Sequence, residues 1–326
     1  MSRTEHEVAL AAVREAAVLC RNVQLFIGPD ALEKKDRSPV TVADFGSQAL
    51  ICRRLAEVFP DDPVMAEEDS TALREPAQAV LLARVVAEVR RLVPEATAET
   101  VCAWIDRGNL GAYRPRFWTL DPIDGTKGFL RGDQYAIALA LIVEGDVQVA
   151  ALACPNLSLR ADSGASRGVV FTAVRGEGAW AWPLQGEGDP IRIQVSGVTN
   201  PAQARFCESF ESAHSAHDAA AEVARRLGIT IPPLRLDSQA KYALVARGEA
   251  DLYLRLPTRP GYVENIWDHA AGALLVTEAG GCVTDIQGRP LRFDLGPALA
   301  ENRGVVVSNG RLHERVLEAL AAVGVA

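Results

Sequence analysis

Arg116-Phe117-Trp118-Thr119-Leu120-Asp121-Pro122-Ile123-Asp124-Gly125-Thr126 is the stretch from which the rest of the chain can be read. Arg116 to Leu120 is extended and aromatic and reads as a strand that breaks sharply at Asp121. Two carboxylates three residues apart at a strand exit, Asp121 and Asp124, can converge on one point. Gly125 permits a tight backbone, and the free N–H groups of Gly125 and Thr126 at a helix start suit a phosphate. Carboxylates crowded in this way repel one another unless a cation lies between them. The sequence has no Cys/His cluster, so that cation would be hard and oxygen-seeking, with Mg²⁺ the first candidate. The plain alternative is that D-P-x-D-G is an Asx-turn and no more.

Further acids lie outward from this run. Asp44 follows the extended Ser38-Pro39-Val40-Thr41 and opens a helix pattern through Leu50, Ile51 and Leu55 that ends before Pro60. Glu67 and Glu68 follow a short strand pattern, Val64-Met65-Ala66. Asp268 stands in Ile266-Trp267-Asp268-His269-Ala270 at a helix start. Singly, each reads as a solvated acid or a helix cap, Asp268 as an N-cap above all. As a set they look like the ligands of a multi-metal phosphate site.

The remaining pattern gives an N-terminal α+β half and a C-terminal α/β half. Glu5 to Val23 is an Ala-rich amphipathic helix, and Ala77 to Val93 is a second, peripheral one. Tyr135–Val143 with Val147–Cys154, and Val169–Val174 with Gly178–Trp182, read as two hairpins. The Gly/Pro-rich Leu184 to Pro190 is the expected boundary, giving domains 1–190 and 191–326. Beyond it, His217–Leu227, Gln239–Arg247 and Asp268–Ala279 read as helices, the last closed by Gly280-Gly281. A closing helix starts at Leu312, and Leu234–Leu236, Asp251–Leu256 and Gly304–Val307 read as strands.

Composition bounds the function classes. The chain has 326 residues, 48% of them apolar, enough for two domains with a sizeable core. Its net charge of −8 argues against a nucleic-acid duplex or an anionic membrane surface as partner, though not against a local basic pocket. No apolar run approaches the roughly 18 residues of a membrane span, and Met1 to Val8 lacks an export pattern, so a cytoplasmic protein is expected. The six cysteines, at 20, 52, 102, 154, 207 and 282, form no C-x-x-C pair and read as reduced, mostly buried residues.

Asp44, Glu67-Glu68, D-P-I-D-G-T at 121–126 and W-D-H-A-A at 267–271, in that order and spacing, resemble the inositol monophosphatase superfamily of Mg²⁺-dependent, lithium-sensitive phosphomonoesterases. Within it, Lys127-Gly128-Phe129-Leu130-Arg131-Gly132, Leu236-Asp237-Ser238-Gln239-Ala240-Lys241-Tyr242, Asp251 to Pro257, Ser38 to Thr41 and His217-Asp218 are similar to the 3′(2′),5′-bisphosphate nucleotidases of the yeast and plant type. That branch hydrolyses 3′-phosphoadenosine 5′-phosphate (PAP) to AMP and phosphate, and often accepts the sulfated relative PAPS. The resemblance implies a two-domain α/β/α/β/α layered sandwich with the site between its halves, and two to three Mg²⁺ ions. By the same resemblance Glu67, Asp121 and the Ile123 carbonyl hold the first ion. Asp121, Asp124 and Asp268 hold the second, and Glu67 with water holds a weaker third. Asp44 and Thr126 are the pair that orients and deprotonates the attacking water.

On the substrate side, Ser238 and Lys241 lie one helical turn apart and can face one pocket. The resemblance makes them nucleotide contacts, together with His217 and Arg255. The competing readings are Lys241 as a solvated helix residue, His217 as a surface histidine and Arg255 as an interdomain ion pair. Lys127 and Arg131 meet phosphate or line the mouth, and His269 reads as structural. Ala66 stands where many relatives have Gly, Asp69 follows the two glutamates, and Arg74 to Tyr113 reads as a peripheral insertion near the mouth. The runner-up function is an inositol (poly)phosphate 1-phosphatase or sugar bisphosphatase of the same superfamily. A catalytically silent nucleotide or metal sensor is disfavoured because every ligand position is filled.

Overall fold

The computed structural model describes residues 3–25, 32–33, 39–40, 42–160, 167–186, 188–210, 217–259 and 261–325. In chain order its elements are α1 (Arg3–Leu25), β1 (Leu32–Glu33), β2 (Pro39–Val40), α2 (Val42–Val58), β3 (Val64–Ala66), α3 (Ala79–Arg90), α4 (Ala98–Asp106), β4 (Arg116–Asp124), α5 (Thr126–Leu130), β5 (Ala136–Val143), β6 (Asp146–Ser158), β7 (Arg167–Val174), β8 (Gly178–Pro183) and β9 (Ile191–Ile193). There follow β10 (Phe206–Glu208), α6 (His217–Leu227), β11 (Leu234–Arg235), α7 (Ala240–Ala246), β12 (Leu252–Arg255), α8 (Ala270–Glu278), β13 (Cys282–Thr284), β14 (Val305–Ser308) and α9 (His313–Val323).

Two sheets organise these elements. A seven-stranded sheet runs β3-β4-β5-β6-β7-β8-β9, antiparallel except where β3 lies parallel to β4. A mixed five-stranded sheet runs β11-β10-β12-β14-β13. The first sheet extends through Ile193, so its last strand lies just past the Leu184–Pro190 segment.

Strand periodicity sorts the side chains into layers. In β5, Ile137, Leu139 and Leu141 join the core under α1 and α2, while Ala136, Ala138 and Ala140 face the opposite way. That opposite face meets α8, which packs on β5, β6 and β7, while its neighbour α7 packs on β10, β12 and β14. A third core joins the far face of the small sheet to α6 and α9. The order is therefore helices, large sheet, helices, small sheet, helices: the α/β/α/β/α sandwich expected from the sequence.

Both hairpins and the long helices stand where the periodicity put them. The expected helix 77–93 is shorter, Ala79–Arg90, with a 3₁₀ turn at Pro76–Gln78 before it. Nor is the 74–113 segment peripheral: α3 and α4 pack on α2, and Val85, Val89, Val101 and Ile105 are fully buried in the first core. All six cysteines are free thiols, five of them buried and Cys282 half-buried. Among the described residues no helix is long and apolar enough to cross a membrane.

Candidate active site

The geometry starts from an irregularity in β4. Asp121 pairs with Ala138 and Asp124 with Ala136, so three steps on β4 match two on β5. Residues three apart on a regular strand point to opposite faces; one extra residue returns the second to the face of the first. Ala136 and Ala138 both belong to the face covered by the middle helices, so both carboxylates turn toward that layer. Ile123 buries its side chain on the other face, in the α1–α2 core, and its carbonyl accepts a hydrogen bond from Thr126 Oγ1 at 3.2 Å. Gly125 then takes φ +87°, and a Cβ there would stand 3.1 Å from that of Ser238. The left-handed turn and the close approach both require glycine.

The second acidic arm comes from β3, whose parallel pairing with β4 carries Glu67 to the same end of the sheet. The turn is pinned through Gln48, buried on α2. Its carboxamide donates to the carbonyls of Glu68 (2.5 Å) and Ile105 (2.9 Å) and accepts from the Glu68 N–H (3.1 Å). The end of α4 holds the same turn from outside: the Ala66 N–H donates to the Gly108 carbonyl (2.9 Å) and the Ser70 N–H to Asp106 Oδ1 (2.9 Å). The segment expected to be an insertion at the mouth is a buttress for Glu67 and Glu68. Asp44 lies buried in the first turn of α2, and Ser47 Oγ fastens that helix to β4 by donating to the Pro122 carbonyl at 2.9 Å.

Asp268 arrives from the other half. It belongs to a 3₁₀ turn, Ile266–Asp268, and the N-cap of α8 is His269, so Asp268 is not the helix cap that its position in sequence suggested. Arg255 joins it: Nε is 2.8 Å from Glu264 Oε2 and Nη2 is 3.6 Å from Asp268 Oδ2. Burial alone would raise the Glu264 carboxyl, but Arg255 and His269 pull it down to about 2. His269 is fully buried between Glu264 and the Tyr242 hydroxyl, which lies 2.6 Å from Nδ1; burial pushes its imidazole below the usual value against the pull of Glu264. Glu264, Asp268 and His269 place ligand atoms within 4.8 Å of one another. The Arg255 guanidinium already lies against two of the three, Glu264 and Asp268.

Electrostatics tie the arms together. Burial, then Glu67, Asp124, Asp268 and Asp44, raise Asp121 well above the usual carboxylate range. Burial also raises Asp268 strongly, opposed by Arg255 and reinforced by Asp124, Glu67 and Glu264. Asp124 is raised less, since Lys241, Arg255 and the Gln239 N–H counter its burial. Asp121 Oδ1 is buried and has no hydrogen-bond partner among the described residues. An orphaned carboxylate oxygen among mutually repelling acids fits a hard divalent cation, and the donors facing it are oxygens.

These residues wall one cleft of about 240 Å³. Glu67, Asp121, Ile123, Asp124, Gly125, Thr126, Ser238, Lys241, Arg255 and Asp268 all line it. Lys241 is not a solvated helix residue: it is 2% exposed, and Nζ donates to the carbonyls of Ser238 (2.9 Å) and Leu236 (3.4 Å). Burial lowers its pKa, against the attraction of Asp124. Ser238 holds a rare φ of +75°, with Oγ accepting from the Ala240 N–H. Lys127 lines the cleft, whereas Arg131 is bonded to Asp237 and to Asp133. His217 opens α6, and its side chain lies outside the described residues. The sequence reading missed Ser209, Tyr262 and Asn265, which also line the cleft. Ser209 follows β10, a three-residue strand with no readable alternation, yet the carboxyl end of a strand in a mixed α/β sheet is where a crevice is expected.

The chain is similar to known proteins over nearly its whole length. The model of the inositol monophosphatase family matches residues 2–324. A 3′(2′),5′-bisphosphate nucleotidase of Schizosaccharomyces pombe is 45% identical over 338 residues, covering 98% of this chain and 95% of that one. The protein of the same description from Emericella nidulans is 43% identical, with 98% of each chain covered. Among solved structures, the IMPase of Thermotoga maritima superposes with a TM-score of 0.68 at 24% identity, covering 99% of this chain and 98% of that one.

Proposed function

This chain belongs to the inositol monophosphatase family, and from that premise we propose that it hydrolyses the 3′-phosphate of PAP to AMP and phosphate, with PAPS as a further substrate. The observation that carries the reading is the convergence of Glu67, Asp121, Asp124 and Asp268 on a cleft that Lys241 and Arg255 also line. Near full-length relatives described as 3′(2′),5′-bisphosphate nucleotidases favour the nucleotide over an inositol phosphate or a sugar bisphosphate.

We assign two to three Mg²⁺ ions to the acids. Glu67, Asp121 and the Ile123 carbonyl would hold the first, Asp121, Asp124 and Asp268 the second, and Glu67 with water a third. When bound, these ions supply the positive charge that offsets the carboxylates and the Lewis acidity that phosphoryl transfer to water needs. Asp44, with Thr126 as its partner in this reading, would take a proton from the attacking water while the water oxygen bonds to phosphorus, the P–O3′ bond breaks and the departing O3′ takes a proton from solvent. The N–H groups of Gly125 and Thr126 steady the transferring phosphoryl oxygens. Ser238, Lys241, Arg255 and His217 hold the nucleotide. Lys241 is well placed for this, since a cation anchored by two carbonyls is already ordered before an anion arrives. The domain assignment, 1–190 and 191–326, puts most of the acids on the first half and Asp268 with the nucleotide wall on the second.

The test is phosphate release with Mg²⁺ from PAP, inositol 1-phosphate, inositol 1,4-bisphosphate and fructose 1,6-bisphosphate at equal concentrations. The expected outcome is a preference for PAP of about 100-fold, roughly 2.7 kcal/mol of transition-state discrimination. A flat profile would keep the phosphatase and discard the nucleotide pocket.

A further inference from the structure

Gln239 touches both halves of the acidic centre. It is 1% exposed, and its backbone N–H donates to Asp124 Oδ2 at 2.6 Å. Its carboxamide faces the other way: Nε2 donates to the Trp267 carbonyl at 2.8 Å, and Oε1 accepts from the Gly272 N–H at 3.1 Å. Trp267 immediately precedes Asp268, and Gly272 lies in the first turn of α8. The first turn of a helix leaves N–H groups that need outside acceptors. His269, the N-cap residue, offers no side-chain bond to them, since its ring is held by Tyr242 and Glu264. Gln239 supplies the missing cap from another element.

We infer that Gln239 is a positioning residue that sets the spacing of Asp124 and Asp268 across the cleft. The task needs one donor and one acceptor on a single short head, which a carboxamide provides at every pH. An ionised glutamate would keep the acceptor and lose the donor; methionine would lose both. Gln239 also stands between Ser238 and Lys241, so the acid spacing is set by the segment that carries the nucleotide wall.

This inference rests on the divalent-metal reading of the acids, and the test separates the two. Mn²⁺ is titrated into the full chain without substrate and followed by electron paramagnetic resonance, for the wild type, Gln239→Met and Gln239→Glu. Circular dichroism checks that each is folded. The expected result is Mn²⁺ binding weakened about 10-fold or more in Gln239→Met, as for other groups that orient metal ligands, with the PAP KM at saturating Mg²⁺ changed far less. Gln239→Glu is the stricter variant and serves alone if Gln239→Met does not fold. Its added charge would by itself tighten cation binding, whereas lost positioning weakens it. Weaker binding in Gln239→Glu supports the inference; equal or tighter binding overturns it while leaving the metal reading intact. A wild-type chain that binds no Mn²⁺ overturns both.

Discussion

Replacing Glu264 by Gln removes one charge from the buried Arg255–Glu264–His269 group, and the structure supplies the size of the effect. Glu264 is 4% exposed, and its carboxyl is lowered from 4.5 to about 2 in spite of its burial. At about 1.4 kcal/mol for each tenfold change, that depression corresponds to about 3 kcal/mol of native-state stability at neutral pH. Truncating one partner of a buried pair costs on the order of 3–5 kcal/mol, in agreement. The sign follows from the lowered value. The contribution is complete above about pH 4.5 and is lost as the pH falls toward 2, because a protonated Glu264 is nearly equivalent to Gln. Urea unfolding of the metal-free chain, wild type against Glu264→Gln, reads it directly. The gap should be about 3 kcal/mol at pH 7 and should shrink to less than about half of that by pH 3. A gap below about 0.5 kcal/mol at pH 7, or one that does not close with acid, would refute the assignment of Glu264 as the charge that holds Arg255.

Asp121→Asn should abolish phosphate release yet stabilise the metal-free chain, because Asp121 is raised by burial among Glu67, Asp124, Asp268 and Asp44, and its charge opposes folding above its unfolded value. Melting in chelator should show a Tm increase of about 1–2 °C per kcal/mol recovered, and a lower Tm would contradict the electrostatic reading. Gly108→Ala places a methyl 2.6 Å from Gln48 Nε2 and 2.8 Å from the Ala66 Cβ, so the Glu67–Glu68 turn must shift. The expected cost is about 1–3 kcal/mol together with a raised Mg²⁺ requirement, measured by unfolding and by metal dependence of turnover. Asp44→Ala should lower kcat by about 10²- to 10⁴-fold with Mn²⁺ binding largely kept, and unaltered turnover would remove Asp44 from the water-activating pair.

What could be read in advance follows from how far each interaction reaches along the chain. The β5–β6 and β7–β8 hairpins announce themselves because each strand alternates over six or more residues and each turn carries glycine. By contrast β9, β10 and β13 are three residues long, too short for any period, and pairing alone makes them strands. The acidic residues were legible because their chemistry is unusual in strand exits and helix starts. The β4 irregularity that aims Asp121 and Asp124 at one face was not, since it is a property of the register with β5 and not of either residue. Gln48 and Gln239 were invisible for the same reason: each looks like an ordinary helix residue until its amide is seen bonding elements 20 to 57 positions away.

Distribution of charge across the cleft explains how a chain of net charge −8 can take a polyanion. The acids enter from strand exits and helix starts, where the backbone fixes them. The chain's own cations in the cleft are equally fixed, Lys241 by two carbonyls and Arg255 by Glu264. Neither can swing across to neutralise Asp121, whose Oδ1 has no hydrogen-bond partner among the described residues. Had Lys241 been mobile, it would pair with the acids and compete with a metal ion for them. Held as it is, it draws the Asp124 carboxyl down against the burial that raises it, and under the proposed function it would add positive potential where the substrate binds. Glu264 and the carbonyls of Leu236 and Ser238 therefore fix where the two cations stand relative to Asp124 and Asp268.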